Sequence, residues 1–166
     1  MGVAADSASA SRMRFMRVAL QMAERGMAAG GPPVGACLVR DTEIISSAHN
    51  SVIGDLDVTA HAEMVVIRQA CLELHSLSLA GCSLYVSVEP CPMCLSACYY
   101  AGIAEVVFGA PIGAMQAITA GELCVNAEEL FAQCYPGAPQ IVAGVLAADS
   151  QVLLDSWQPV GGRGKQ

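Results

Sequence analysis

Leu84-Tyr85-Val86-Ser87-Val88-Glu89-Pro90-Cys91-Pro92-Met93-Cys94 is the stretch on which the fold turns. Its first five residues are apolar and β-branched enough to read as a buried strand. Pro90 stops that strand. Pro92 suits the first turn of a helix, where its missing N–H costs nothing. The helix is expected to run to about Ala101 and to carry Cys91 and Cys94 at its start. Residues 104–108 then read as a second short strand, closed by Gly109. Strand, helix and strand with short connections is the pattern of a parallel β-α-β unit.

Upstream, Met13, Met16, Leu20, Ala23 and Met27 recur at three- and four-residue spacing. This predicts an amphipathic helix over 12–28, ended by Gly30-Gly31-Pro32-Pro33. Residues 34–40 and 43–48 are apolar stretches separated by Asp41-Thr42, which suggests a hairpin. After a polar loop over 50–58, Thr59 is the expected N-cap of a helix over about 60–74. Downstream, 110–123 is rich in Gly and Ala and yields no assignment. A helix over 127–134, a strand over 140–146 and a last helix over 150–157 follow. The expected organisation is a disordered leader (1–11), one α/β domain (12–157) with helices on both faces of a sheet of about five strands, and a flexible tail (158–166).

The 166 residues suffice for about one domain with a real core. Hydrophobic residues make up 54% and charged residues 14%, too apolar for a disordered chain. No apolar run reaches the ~18 residues of a bilayer span, so no membrane partner is expected. The net charge of -7 argues against a nucleic-acid partner without ruling out tRNA, since a local basic strip would suffice. Arg12, Arg14 and Arg17 form such a strip on paper and read as a solvated helix face. The amino-terminal residues show no secretory signal. The eight cysteines are therefore expected in a reducing cytoplasm, with Cys37, Cys82, Cys124 and Cys134 as buried packing. The abundance of Ala, Met and Cys suggests apolar surface covered by another subunit.

His61-Ala62-Glu63 and Cys91-Pro92-Met93-Cys94 together offer one imidazole, two thiolates and a carboxylate that need not bind metal. Three ligands are one short of a closed tetrahedral zinc shell, and the fourth position admits water. Helix starts favour thiolates through their free N–H groups. Zinc fits better than a redox metal if the chemistry is hydrolysis. Glu63, two residues past His61, is the expected proton carrier. Two other readings stay open: a redox-active Cys-x-x-Cys, and a closed structural zinc site completed by Cys98, Cys71 or His75. Glu89 is read as accepting N–H bonds near the metal helix.

At these residues the chain resembles the cytidine-deaminase-like superfamily of zinc nucleobase deaminases, which carry an H-x-E and P-C-x-x-C signature. The resemblance covers about residues 12–157, including Pro33-Val34-Gly35-Ala36, His49-Asn50, Thr59-Ala60-His61-Ala62-Glu63 and Val106-Val107-Phe108-Gly109-Ala110. It implies a three-layer α/β/α sandwich with a mixed five-stranded sheet, usually a homodimer. It also implies one Zn²⁺ per subunit on His61, Cys91 and Cys94, and Glu63 as catalytic proton shuttle. Asn50 and the backbone of Ala62 would contact the base. Tyr100 is a candidate to stack on it, and Asp155 and Trp157 lie where related free-base enzymes fold a C-terminal segment over the pocket.

Gly30-Gly31-Pro32 and Pro90-Cys91-Pro92-Met93-Cys94-Leu95 look like bacterial guanine deaminases. Pro33-Val34-Gly35-Ala36 and Phe108-Gly109-Ala110 look like tRNA adenosine deaminases, and Gly30-Gly31 with His49-Asn50 is similar to fungal cytosine deaminases. The expected activity is hydrolytic deamination of a free nucleobase or nucleoside, guanine first and cytosine next, with release of ammonia. Adenosine editing in tRNA is the alternative, and a non-catalytic zinc-stabilised interaction domain is the third.

Overall fold

A computed structural model of the chain describes residues 2–119, 123–132 and 137–158, with side chains from residue 8 onward. The elements are α1 (Gly2–Ala28), β1 (Gly35–Arg40), β2 (Glu43–His49), α2 (Val52–Asp55), α3 (Ala62–Glu73), β3 (Cys82–Val88), α4 (Pro92–Ala101), β4 (Glu105–Ala110), α5 (Ile112–Thr119), α6 (Ala127–Phe131), β5 (Gln140–Val142) and α7 (Ala147–Ser156). The five strands form one sheet in the order β2-β1-β3-β4-β5. β1 runs antiparallel to both β2 and β3, while β3, β4 and β5 are parallel. The sheet is therefore mixed, and β3-α4-β4 is the expected parallel unit.

Alternation along the strands sorts the core into two layers. Ala36 and Leu38 of β1, with Leu84 and Val86 of β3, face Ala62, Val66 and Ala70 of α3 and Cys98 of α4. Cys37, Val39 and Tyr85 point the other way, onto Phe15, Met16 and Ala19 of α1, with Leu153 of α7 at the edge. The result is an α/β/α sandwich. Gly35 lets α1 lie flush on the sheet: a Cβ there would stand 2.2 Å from the Ala23 nitrogen and 2.3 Å from the Ala19 oxygen. Buried Ser87 fastens the chain entering β1, accepting from the Gly35 N–H (3.1 Å) and donating to the Pro33 carbonyl (3.3 Å). No helix among the described residues is long and apolar enough to cross a membrane.

Several boundaries differ from the sequence expectations. The supposed disordered leader is helical: α1 begins at Gly2, where 12 was expected. Alanine is the best helix former, and Ala8 and Ala10 extend a helix already fixed by the packing of Phe15 and Met16. Thr59 is not an N-cap. Its N–H and hydroxyl both bond Asp57 Oδ1 (2.8 and 2.7 Å), and α3 starts at Ala62 with His61 in the cap position. Residues 112–119, left unassigned, form α5. β5 is shorter than 140–146 because Gly144 (φ 81°) and Leu146 (φ 52°) turn the backbone out of extended conformation. α6 ends at Phe131, short of 134, and α7 begins at Ala147, ahead of 150. The tail beyond Gln158, and Cys134, lie outside the described residues.

Candidate active site

Helices α3 and α4, which come after β2 and β3, the two strands flanking β1, begin at the same place. His61 precedes the first residue of α3 and Cys91 precedes the first of α4; both have extended backbone (φ -63°, ψ 151° and φ -68°, ψ 167°). The first-turn N–H groups of a helix lack intrahelical acceptors and give its start a partial positive charge. Ala62 opens α3, so its N–H is one of these donors.

His61 Nδ1, Cys91 Sγ and Cys94 Sγ form a triangle whose three edges are each 3.7 Å. A disulfide would need about 2.05 Å between the sulfurs. Around a tetrahedral zinc, with Zn–S near 2.3 Å and Zn–N near 2.0–2.1 Å, such donor atoms stand roughly 3.5–3.8 Å apart. The triangle fits one face of that tetrahedron. Among the described residues, these three make up the only group of potential metal donors, and Cys71, His75 and Cys98 are not members. The donor set is thus one short of a closed shell, which speaks against a structural site completed by one of those residues.

The two sulfurs behave differently. Hydrogen bonding with Cys94 and His61 holds the Cys91 thiol down at about 4, despite burial. Its coupling to Cys91, and burial, push the Cys94 thiol upward. Burial likewise raises Cys98. A bound divalent cation inverts this local balance and ionises a coordinating thiol outright.

Glu63, in the first turn of α3, is 3% exposed. Its Oε2 is buried and has no hydrogen-bond partner. Burial pushes the carboxyl up to about 7, against the pull of His61. Metal-free protein should therefore show a defined pH effect. Folded Glu63 holds its proton to about 7, whereas the unfolded chain releases it near 4.5. Its share of stability is full below the lower value and falls as pH rises toward the upper one. Cys91 acts oppositely, gaining from about 4 up to the ordinary 9.0. Glu63→Gln removes the first effect and keeps the second. In chelator, the unfolding free energy of wild type minus that of Glu63→Gln should decline between pH 4.5 and 7; a flat difference would contradict the assignment.

Asn50 is 7% exposed at the end of β2. Its N–H bonds the Val34 carbonyl (2.9 Å) and its Oδ1 accepts from the Val52 N–H (3.2 Å). The Nδ2 donors of that side chain take no part in these bonds. Trp157 is half-buried against Val88, Ala110, Met115 and Leu154. Tyr100 and Asp155 both lie at the surface of the chain. Tyr100 is 85% exposed, packed edge-on to Tyr99. Helical rise places it about 9 Å along α4 from Cys94, so it leaves the ligand-bearing end. Asp155 is exposed on α7 and bonded by Gln151 Nε2 (2.8 Å). Cys124 is exposed rather than packed, and bonds Gln116 Oε1 (2.8 Å). Arg12 is paired with Glu105 and Arg14 lies over the Phe15 ring, so these two do not stand as a free basic strip.

The sequence reading missed a small network entering the site. Asp57 takes both bonds from Thr59, and Arg68 Nη2 on α3 donates to Thr59 Oγ1 (2.7 Å). It pins the 51–60 loop to the helix carrying Glu63. The signal was present as Asp-x-Thr, where an Asp side chain bonds the N–H two residues on. Glu89 accepts from the Ile112 N–H (Oε2, 3.1 Å) and the Ala127 N–H (Oε1, 3.0 Å), so its acceptor role is as read but its donors lie far along the chain.

Residues 9–110 match a family model, the cytidine and deoxycytidylate deaminase zinc-binding region. A tRNA-specific adenosine deaminase of Aquifex aeolicus (strain VF5) is 50% identical over 96 residues, covering 58% of this chain and 64% of that protein. A guanine deaminase of Bacillus subtilis (strain 168) is 45% identical over 97 residues, covering 58% and 62%. The matched part thus spans somewhat under two thirds of either relative. A solved structure from studies of A-to-I editing by tRNA:A34 deaminases at the wobble position superposes with a TM-score of 0.74 at 34% identity, covering 84% of this chain and 98% of that one.

Proposed function

Because the chain belongs to the cytidine and deoxycytidylate deaminase zinc-binding family, we propose that it hydrolytically deaminates adenosine in tRNA, with His61, Cys91 and Cys94 as the zinc ligands and Glu63 as the catalytic acid–base. The observation that supports the substrate is the 34% identity, over 84% of this chain, with the structure from the tRNA:A34 deaminase studies. This ranks tRNA above the free guanine that the sequence favoured.

Zinc held there supplies a Lewis acid that brings water toward ionisation near neutral pH. Glu63 takes a proton from the attacking water and gives it to a ring nitrogen as oxygen adds to the amino-bearing carbon. It then takes the hydroxyl proton and delivers it to the amine, which departs as ammonia while the carbon–oxygen double bond forms. Its buried, partner-free Oε2 suits a group that exchanges a proton repeatedly. Asn50 and the Ala62 N–H orient the base.

Guanine remains the second reading, favoured by the Bacillus relative. Free guanine presents N–H donors that need an acceptor such as a carboxylate. α5, anchored two residues before Cys91 through Glu89, carries no acidic residue. Among the described residues, Arg17 and Arg25 on α1 are exposed arginines that stand outside the Arg12–Glu105, Arg14–Phe15 and Arg68–Thr59 contacts. With few such cations, tRNA affinity should fall with salt, but with a shallow slope.

The test is inosine formation in a tRNA carrying adenosine at the wobble position, run beside ammonia release from guanine, cytosine, adenine, isocytosine and their nucleosides. Inosine without free-base turnover is expected. Guanine turnover without inosine would transfer the assignment to the second reading, and silence throughout would remove both. We also propose a homodimer: Ile53, Leu56 and Val58 before α3 and Leu72 on it are exposed apolar side chains, Leu56 at 92%. Sedimentation should give twice the monomer mass; a monomer at micromolar concentration would reject it.

A further inference from the structure

We infer that Glu89 is a positioning residue that sets where α5 and α6 stand relative to the metal-binding turn, and so governs how tightly the substrate is held. Glu89 is 8% exposed, and both carboxylate oxygens are engaged. Ile112 is the first residue of α5 and Ala127 the first of α6, 23 and 38 positions away. First-turn N–H groups need an acceptor from outside their own helix. Here one side chain serves both helices. The Glu89 N–H also bonds the carbonyl of Ala110, the last residue of β4 (2.8 Å). One residue thus ties together the ends of two parallel strands and the starts of two helices.

The placement links this knot to the site. Consecutive Cα atoms are about 3.8 Å apart, so Glu89 lies within about 7.6 Å of Cys91. α6 packs against α4, which carries Cys94. Met115 of α5 packs with Val88 and Ala110 at the strand ends, where Trp157 also lies. Neither α5 nor α6 carries the ligands or Glu63, so moving them alters binding more than chemistry.

In its kinetic part this inference rests on the deaminase reading, so the experiment has two arms. Glu89→Gln keeps one acceptor and turns an amide donor toward the other N–H. Glu89→Asp is one methylene shorter and cannot reach both. Losing one charge-assisted bond should raise KM roughly tenfold or more in either variant. Turnover should stay within about threefold, the pattern of lost binding rather than lost chemistry. Zinc should stay at one per chain. The substrate is the wobble-adenosine tRNA, or guanine if the panel selects it. In the second arm, amide exchange of Ile112 and Ala127 should be slow in wild type and at least about tenfold faster in Glu89→Gln, with Val107 unchanged. An unchanged KM, joint loss of zinc and kcat, or unprotected Ile112 and Ala127 amides in wild type would each overturn the inference. A wild type inactive on every substrate would overturn the functional reading alone, and the exchange arm would still decide this one.

Discussion

Glu63→Ala should keep its zinc and lose about 10²–10⁴-fold in turnover. The ligand triangle lies outside the Glu63 carboxyl, since the Nδ1 and Sγ atoms that form it come from His61, Cys91 and Cys94. What the substitution removes is the proposed proton carrier, a buried carboxyl raised to about 7 whose Oε2 has no hydrogen-bond partner. A group poised near neutrality both takes and gives protons at low cost, which is what repeated transfer demands. Glu63→Gln is the sharper form, because it preserves shape and burial and removes only the ability to accept a proton. Turnover with the substrate from the panel, beside metal content by elemental analysis, separates the cases. Near-wild-type rates in either variant would end the assignment, and loss of zinc in both would recast Glu63 as a support for the ligands.

Removing the metal should be the other large effect. Chelation, or Cys91→Ser, should abolish turnover and lower the unfolding temperature. A ligand that binds only the folded state at about 1,000 times its dissociation constant adds about 4 kcal/mol. Added zinc should restore both properties to the chelated wild type, and magnesium should restore neither, since two thiolates and an imidazole are soft donors. Cys98→Ser is the control. Cys98 is one helical turn past Cys94, yet it stands outside the donor group, so this variant should retain zinc and activity. Zinc loss in Cys98→Ser would revive the closed four-ligand site.

The β3-α4-β4 unit was legible because each boundary had a local mark: an apolar run, Pro90, Pro92 at a helix start, Gly102 at its end. The ligand set was legible for the same reason, its members lying at element boundaries. α6 and α5 make an instructive pair. Asn126 and Glu129 form a capping box within four residues, so the start of α6 is written locally. The start of α5 is stabilised by Glu89, 23 residues upstream, and Pro111 is its one local mark. Thr59 misled because Asp57 competed for it at closer range. Tyr100 and Asp155 were read as base contacts from composition and place in the chain, and what they meet depends on packing that neither property records. The substrate was least legible, since selectivity rests on pocket shape and a few hydrogen bonds, which no local pattern in the sequence encodes.

Gly35 is not one of the metal-donor residues, yet a survey of variants scored only by activity would rank it beside Glu63. A methyl group there meets main-chain atoms of α1, which cannot rotate aside as a side chain would. The helix would have to lift off the sheet, and the cell would see less protein rather than a slower enzyme. Scoring abundance and activity separately is what distinguishes a residue the reaction uses from one the architecture has no room to enlarge.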